Sequence, residues 1–157
     1  MPPTMEMKST RVASGSFDVK LSPQLIEGMD PALGRSRIDK QFYGDLTAVS
    51  LGQMLSAGTA VKGSAGYVAI ETVTGMLHDR LGSFSLQHCC SMARGQTKMA
   101  ITVVPDSGSY QLTGLTGTLT IDILDRKHFY RFEYELPMQD PSSLPSIHRY
   151  AWNPGNV

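Results

Sequence analysis

The chain has 157 residues, and its fourteen Lys and Arg side chains balance fourteen Asp and Glu. That is the size of one domain, long enough to bury roughly two-thirds of its unfolded surface in a single core. With neither a net charge nor a run of one sign, the electrostatic footprint of a nucleic-acid binder or of a protein held on an anionic membrane is missing. No apolar run reaches the about 18 to 20 residues of a membrane-spanning helix, and the Met-rich polar start lacks the apolar centre of a secretory signal. A cytoplasmic location is therefore expected, with no nucleic-acid or membrane partner. Adjacent Cys89 and Cys90 point to opposite faces of an expected strand and cannot form an ordinary disulfide with each other, which suits two thiols in a reducing compartment.

Residues 1–12 have no periodicity and read as an irregular lead-in. From Ala13 the pattern changes: in SFDVKL, Phe17, Val19 and Leu21 share one face and Asp18 and Lys20 the other, the signature of a half-buried strand. Residues 23–34 have loop composition. RSRIDKQFYG and DLTAVSLGQMLSA follow as a second and third strand separated by Gly44. The glycine-rich GTAVKGSAG lacks the Lys-Ser or Lys-Thr that a phosphate loop needs after its second glycine, so it is a connection only. Tyr67 to Thr74 and Ser83 to Cys90 form a fourth and fifth strand around a loop from Met76 to Gly82. The sixth, KMAITVV, ends at the turn Pro105-Asp106-Ser107-Gly108.

LTGTLTIDIL and HFYRFEYEL alternate most cleanly. With a loop over Leu124 to Lys127, Ile123 faces His128, Ile121 faces Tyr130, Leu119 faces Phe132 and Gly117 lies under Tyr134, so every apolar residue meets an apolar or aromatic partner. Residues 137–157 turn proline-rich and read as an irregular tail, in which Ile147, Tyr150 and Trp152 either dock or stay exposed. Eight short strands joined by short connections point to an all-β fold, a single antiparallel eight-stranded barrel over residues 13–136, since closure removes exposed strand edges.

Five segments, DKQFYGDL, GSAGYVAIETVTG, GSFSLQH, VVPDSGS and KHFYRFEYEL, together resemble a bacterial family of small proteins of unknown function placed among barrels similar to allene oxide cyclase. The resemblance spans about Ala13 to Leu136 and implies an eight-stranded antiparallel, calycin-like barrel and self-association into a homo-oligomer. It brings no assigned reaction and no residue roles.

Candidate chemistry depends on which polar groups face inward. Phe84, Leu86, His88 and Cys90 share the apolar face of the fifth strand, and the last strand turns His128, Tyr130 and Tyr134 the same way. Apolar walls with a few placed polar groups are the usual make-up of a small-molecule site. Tyr67, His128, Tyr130, Tyr134, Phe84 and Leu86 are therefore the expected ligand-binding residues. Glu71 shares a face with Tyr67, Ala69 and Val73, while Val68 and Ile70 make the opposite face apolar as well, so its direction stays open. Facing inward, it would pair with His88 as an acid/base couple; facing outward, it is a surface carboxylate. An inward histidine is more often a hydrogen-bonded core residue than a catalyst, and the tyrosines at period two also serve as core.

His88, His128 and Glu71 have no metal-ligand spacing, no serine sits in a nucleophile elbow, and dinucleotide fingerprints are missing, so neither metal nor cofactor is expected. The leading expectation is a binder of a small apolar molecule, with a cofactor-free isomerisation or cyclisation left open. The rival is a filled barrel that assembles through its outer face. An interior void of roughly 300 Å³ or more favours the first.

Overall fold

The structure, a computed structural model, describes residues 8–138. Eight strands, β1 (Lys8–Pro23), β2 (Leu33–Gly44), β3 (Leu46–Gly58), β4 (Ala65–Leu77), β5 (Arg80–Ala93), β6 (Gln96–Val103), β7 (Thr116–Leu124) and β8 (Lys127–Pro137), close into one barrel in sequence order. Every neighbouring pair is antiparallel, and β8 returns to β1. No helix among these residues is long and apolar enough to cross a membrane.

Strand β1 starts at Lys8 rather than Ala13 because Lys8 to Val12 pair with Pro137 to Glu133 of β8. This interstrand pairing needs no alternation in the side chains, so the lead-in pattern did not reveal it. Ile147, Tyr150 and Trp152 of the expected tail lie outside the described residues.

The β7/β8 register is the one the alternation implies: Ile123 opposite His128, Ile121 opposite Tyr130, Leu119 opposite Phe132 and Gly117 opposite Tyr134. Its turn is shorter than expected, because Leu124 and Lys127 pair and only Asp125 and Arg126 bridge them, both at positive φ (49° and 66°). Such a turn matches the right-handed twist of the strands it joins. The β4/β5 turn likewise shrinks to His78 and Asp79, with Leu77 paired to Arg80. Gly82, the end of the expected loop, sits opposite Gly75 inside the hairpin. They permit close approach instead: a Cβ on Gly75 would lie 2.7 Å from Ala48 Cβ, and one on Gly82 3.2 Å from Leu112 Cγ.

The two halves of the barrel interior differ. At one end the core is solid, with Phe42, Phe84, Phe132, Tyr130 and Tyr134 buried and Phe84 stacked on Phe132 at 5.7 Å. The 3-10 turn Tyr110–Leu112 covers that end, and its buried Gln111 accepts the Leu81 N–H at 2.8 Å. At the other end Val19, Met54, Tyr67 and Ile121 are only partly buried, and a cavity remains. There β6 and β7 are barely joined, since Thr102 opposite Thr118 is their single register pair.

A lysine, a glutamate and a histidine on the cavity wall

Alternation along β2 turns Ile38, Lys40 and Phe42 inward; along β4 it turns Ala69, Glu71 and Val73 inward, and along β5 Leu86 and His88. The register then stacks these residues in adjacent strands: Lys40 opposite Ser50, Gly52 opposite Glu71, and Ala69 opposite His88. Gly52 is needed at its position, because an added Cβ would stand 2.7 Å from Glu71 Cβ and would also press on the Ile70 carbonyl. A missing side chain on β3 thus makes the space in which the Glu71 carboxyl lies.

Lys40 Nζ donates to Glu71 Oε2 at 2.7 Å, and His88 Nε2 reaches the same oxygen at 3.1 Å. The three side chains are 7%, 0% and 4% exposed. The ammonium also lies 4.9 Å from the centroid of the Phe17 ring and 5.7 Å from that of Phe42, so aromatic faces help hold the cation where water does not. Burial works to raise the Glu71 pKa, yet the hydrogen bond from His88 and the charge of Lys40 outweigh it, and the carboxyl titrates below its ordinary value. Glu71 is therefore an anion at neutral pH. A carboxylate only accepts, so the His88 Nε2 carries hydrogen, and in the neutral ring Nδ1 is left as the basic nitrogen. Glu71 Oε1 and Ser50 Oγ are buried and have no hydrogen-bond partner among the described residues.

The cavity above this cluster has a volume of about 270 Å³ and opens at the barrel mouth. Its walls are mainly apolar, with Phe17, Val19, Ile38, Met54 and Ile121 among them, and its polar lining is Lys40, Tyr67, His88 and His128. Burial first, then the neighbouring Cys90 and Glu71, push the Tyr67 pKa up to about 12, so its hydroxyl stays protonated. His128 packs against Phe17 with ring centroids 5.1 Å apart.

Tyr67, His88 and His128 thus meet at one cavity, and Glu71 lies inward, directly behind its wall. Four other expected ligand contacts do not line it. The Tyr130 hydroxyl accepts the Leu46 N–H and donates to the Tyr43 carbonyl, both at 2.9 Å, tying β8 to the β2/β3 turn. Tyr134 hydrogen-bonds through its hydroxyl to His78 Nδ1. Phe84 and Leu86 are fully packed in the closed half. Lys40 is the site residue that the sequence reading did not single out; its signal was a lone cation in phase with Ile38 and Phe42.

The family model described as a protein of unknown function, DUF3224, matches residues 13–134. The crystal structure of a protein with unknown function from the DUF3224 family of Shewanella oneidensis MR-1 is similar, with 49% sequence identity and a TM-score of 0.78, and the match covers 84% of this chain and 100% of that one. No curated protein matches the chain. By the extent of these matches, and with the barrel they share, the chain belongs to the DUF3224 family.

Proposed function

We propose that this protein is a cytoplasmic binder of a small, largely apolar molecule, and that His88 exchanges a proton with it in a cofactor-free isomerisation or cyclisation. The observation that carries this reading is the buried Lys40, Glu71 and His88 cluster on the wall of an open cavity. Charged pairs removed from water lose several kcal/mol of solvation per ion, and apolar residues of similar volume often stabilise a core better. A barrel selected only for stability would have filled this end as it filled the other.

In the reaction proposed, Lys40 stabilises negative charge developing on a ligand oxygen. His88 exchanges its Nδ1 proton with an adjacent carbon, and Glu71 orients the ring and balances the imidazolium form. Glu71 is in this scheme a positioning residue rather than a group that touches the ligand. The likeness to allene oxide cyclase is an analogy of barrel alone and supports no residue roles. About 270 Å³ lies just below the roughly 300 to 1,000 Å³ usual for ligand sites, so the ligand is small or leaves one end in the mouth. Native mass spectrometry of protein purified from its source is the test. A retained small molecule that His88→Ala loses supports the reading; ligand binding left unchanged by that substitution contradicts it.

A second reading, assembly with further copies of this chain, rests on the outer face. Leu51, Leu55, Val68 and Ile70 are 49%, 49%, 52% and 56% exposed on neighbouring β3 and β4, with Leu55 paired to Val68. The same mass spectrum counts subunits, and a monomer would remove this second reading.

A further inference from the structure

The polar lining of the cavity is unusually one-sided. Lys40, Tyr67, His88 and His128 face it, whereas the one nearby carboxylate, Glu71, is fully buried behind them. Among the described residues, no fixed negative group therefore lines the cavity wall. Lys40 spends one N–H on Glu71, and among the described residues its remaining N–H bonds have no acceptor. An ammonium left with spare donors beside apolar walls selects a ligand whose head accepts hydrogen bonds and whose body is apolar.

Charge decides which acceptor. With His88 neutral, Lys40 and Glu71 cancel. A carboxylate entering this site would leave it with one uncompensated negative charge among buried groups, which is costly in a low dielectric. His88 removes the imbalance by binding a proton from solvent at Nδ1, giving two cations and two anions. The new imidazole N–H bond takes its proton from solvent, and no bond of the ligand changes. A primary amine would instead meet Lys40 as a like charge, and an alcohol would gain nothing from the ion pair. We infer that the ligand is an apolar monocarboxylate, held by Lys40 and taken up together with one proton on His88. This inference rests on the proposed ligand-binding reading of the same cavity.

The other titratable groups around His88 are Lys40 on β2, Tyr67 on β4 and His128 on β8 at the cavity, and Glu71 on β4 behind its wall, with Cys90 next in phase on β5 itself. His128 is the alternative proton acceptor, and a variant separates it from His88.

The experiment is isothermal titration calorimetry of the full chain at neutral pH with three probes: 4-phenylbutanoate, 4-phenylbutan-1-ol and 4-phenylbutylamine. Each is run in two buffers of different ionisation enthalpy, which yields the protons taken up per ligand. The acid is expected to bind at least about tenfold tighter than the alcohol, as one charge-assisted hydrogen bond implies, and the amine weakest. One proton should enter with the acid and none with the alcohol. H88Q should abolish that uptake, whereas H128Q should preserve it. K40M alone strands the Glu71 carboxylate, so K40M/E71Q serves as the charge-free control and should bind acid and alcohol alike. Equal affinity for acid and alcohol in the wild type overturns the inference while leaving the cavity a binding site. Acid binding without proton uptake, or uptake that H88Q preserves, also overturns it. Failure of all three probes to bind removes both this inference and the binding reading beneath it.

Discussion

Replacing Lys40 by Met tests whether the buried cluster is held together as its geometry implies. The substitution is close in volume and keeps the stem packed, but removes the ammonium 2.7 Å from Glu71 Oε2. The carboxyl stays fully buried, with His88 as its remaining donor and Oε1 without a partner. Breaking a buried ion pair by deleting one partner costs about 3 to 5 kcal/mol, because the other charge is left uncompensated. That is a large part of a domain's net stability of roughly 5 to 15 kcal/mol.

The pH dependence gives the sharper signature. In the wild type the Glu71 pKa is lowered, so its stabilising contribution is fully present above the unfolded carboxyl value of about 4.3 and is lost as pH falls through the folded value. In Lys40→Met the opposing effect of burial prevails and the folded pKa rises. The variant is then penalised most at neutral pH and recovers as acid protonates the carboxyl. The gap between the two proteins should therefore narrow from neutral pH to about pH 5, measured as unfolding free energies in urea. Adding Glu71→Gln to Lys40→Met should restore part of the loss at neutral pH. A deficit below about 1 kcal/mol, or one that does not change with pH, would refute the reasoning.

Gly52→Ala should destabilise the barrel by roughly 1 to 3 kcal/mol in the same urea assay, because its methyl has no room beside Glu71 Cβ. A neutral effect would mean that β3 does not approach Glu71 as described. Tyr130→Phe should cost about 1 to 3 kcal/mol, since it leaves the Leu46 N–H without its acceptor, but should leave ligand affinity unaltered. Hydrogen exchange should be fast for the β6 amides that point toward β7 and slow in the β4/β5 hairpin, where pairing runs unbroken from Ala65 and Met92 to Leu77 and Arg80. Equal protection in the two places would contradict the open seam.

The architecture was legible because alternation in this chain is strongest where pairing is most regular. β7 and β8 have one polar and one apolar face each, and a one-residue slip of β8 would have exposed Tyr130, Phe132 and Tyr134 together. The turns were harder to place. Gly82 looked like a loop residue, yet what it and Gly75 opposite supply is clearance against Leu112 and Ala48, a requirement set by strands and loops distant in sequence.

The site was legible only in part, for a related reason. His88 stood out because its neighbours in phase, Phe84, Leu86 and Cys90, are apolar. Glu71 was ambiguous because Val68 and Ile70 make the other face of β4 apolar too, and that face remains exposed on the barrel exterior. Lys40 looked like an ordinary strand lysine. Its meaning depends on β3 being interposed so that Gly52 admits the carboxyl of Glu71 from the next strand, and no local pattern encodes that coincidence. Tyr130 and Tyr134 were correctly inward, but the depth at which their hydroxyls find partners was fixed by the barrel's stagger rather than by their own strand.

In the function proposed, the open half of the barrel takes up a small molecule beside Lys40 and His88. Intermolecular nuclear Overhauser effects between 4-phenylbutan-1-ol and the labelled protein test it most directly, because this probe depends on the apolar walls alone. Contacts are expected from the phenyl ring to the methyl groups of Ile38, Met54, Ala69 and Ile121 inside the cavity. Contacts confined to the outward Leu51, Leu55, Val68 and Ile70, or no contacts at saturating probe, would contradict it.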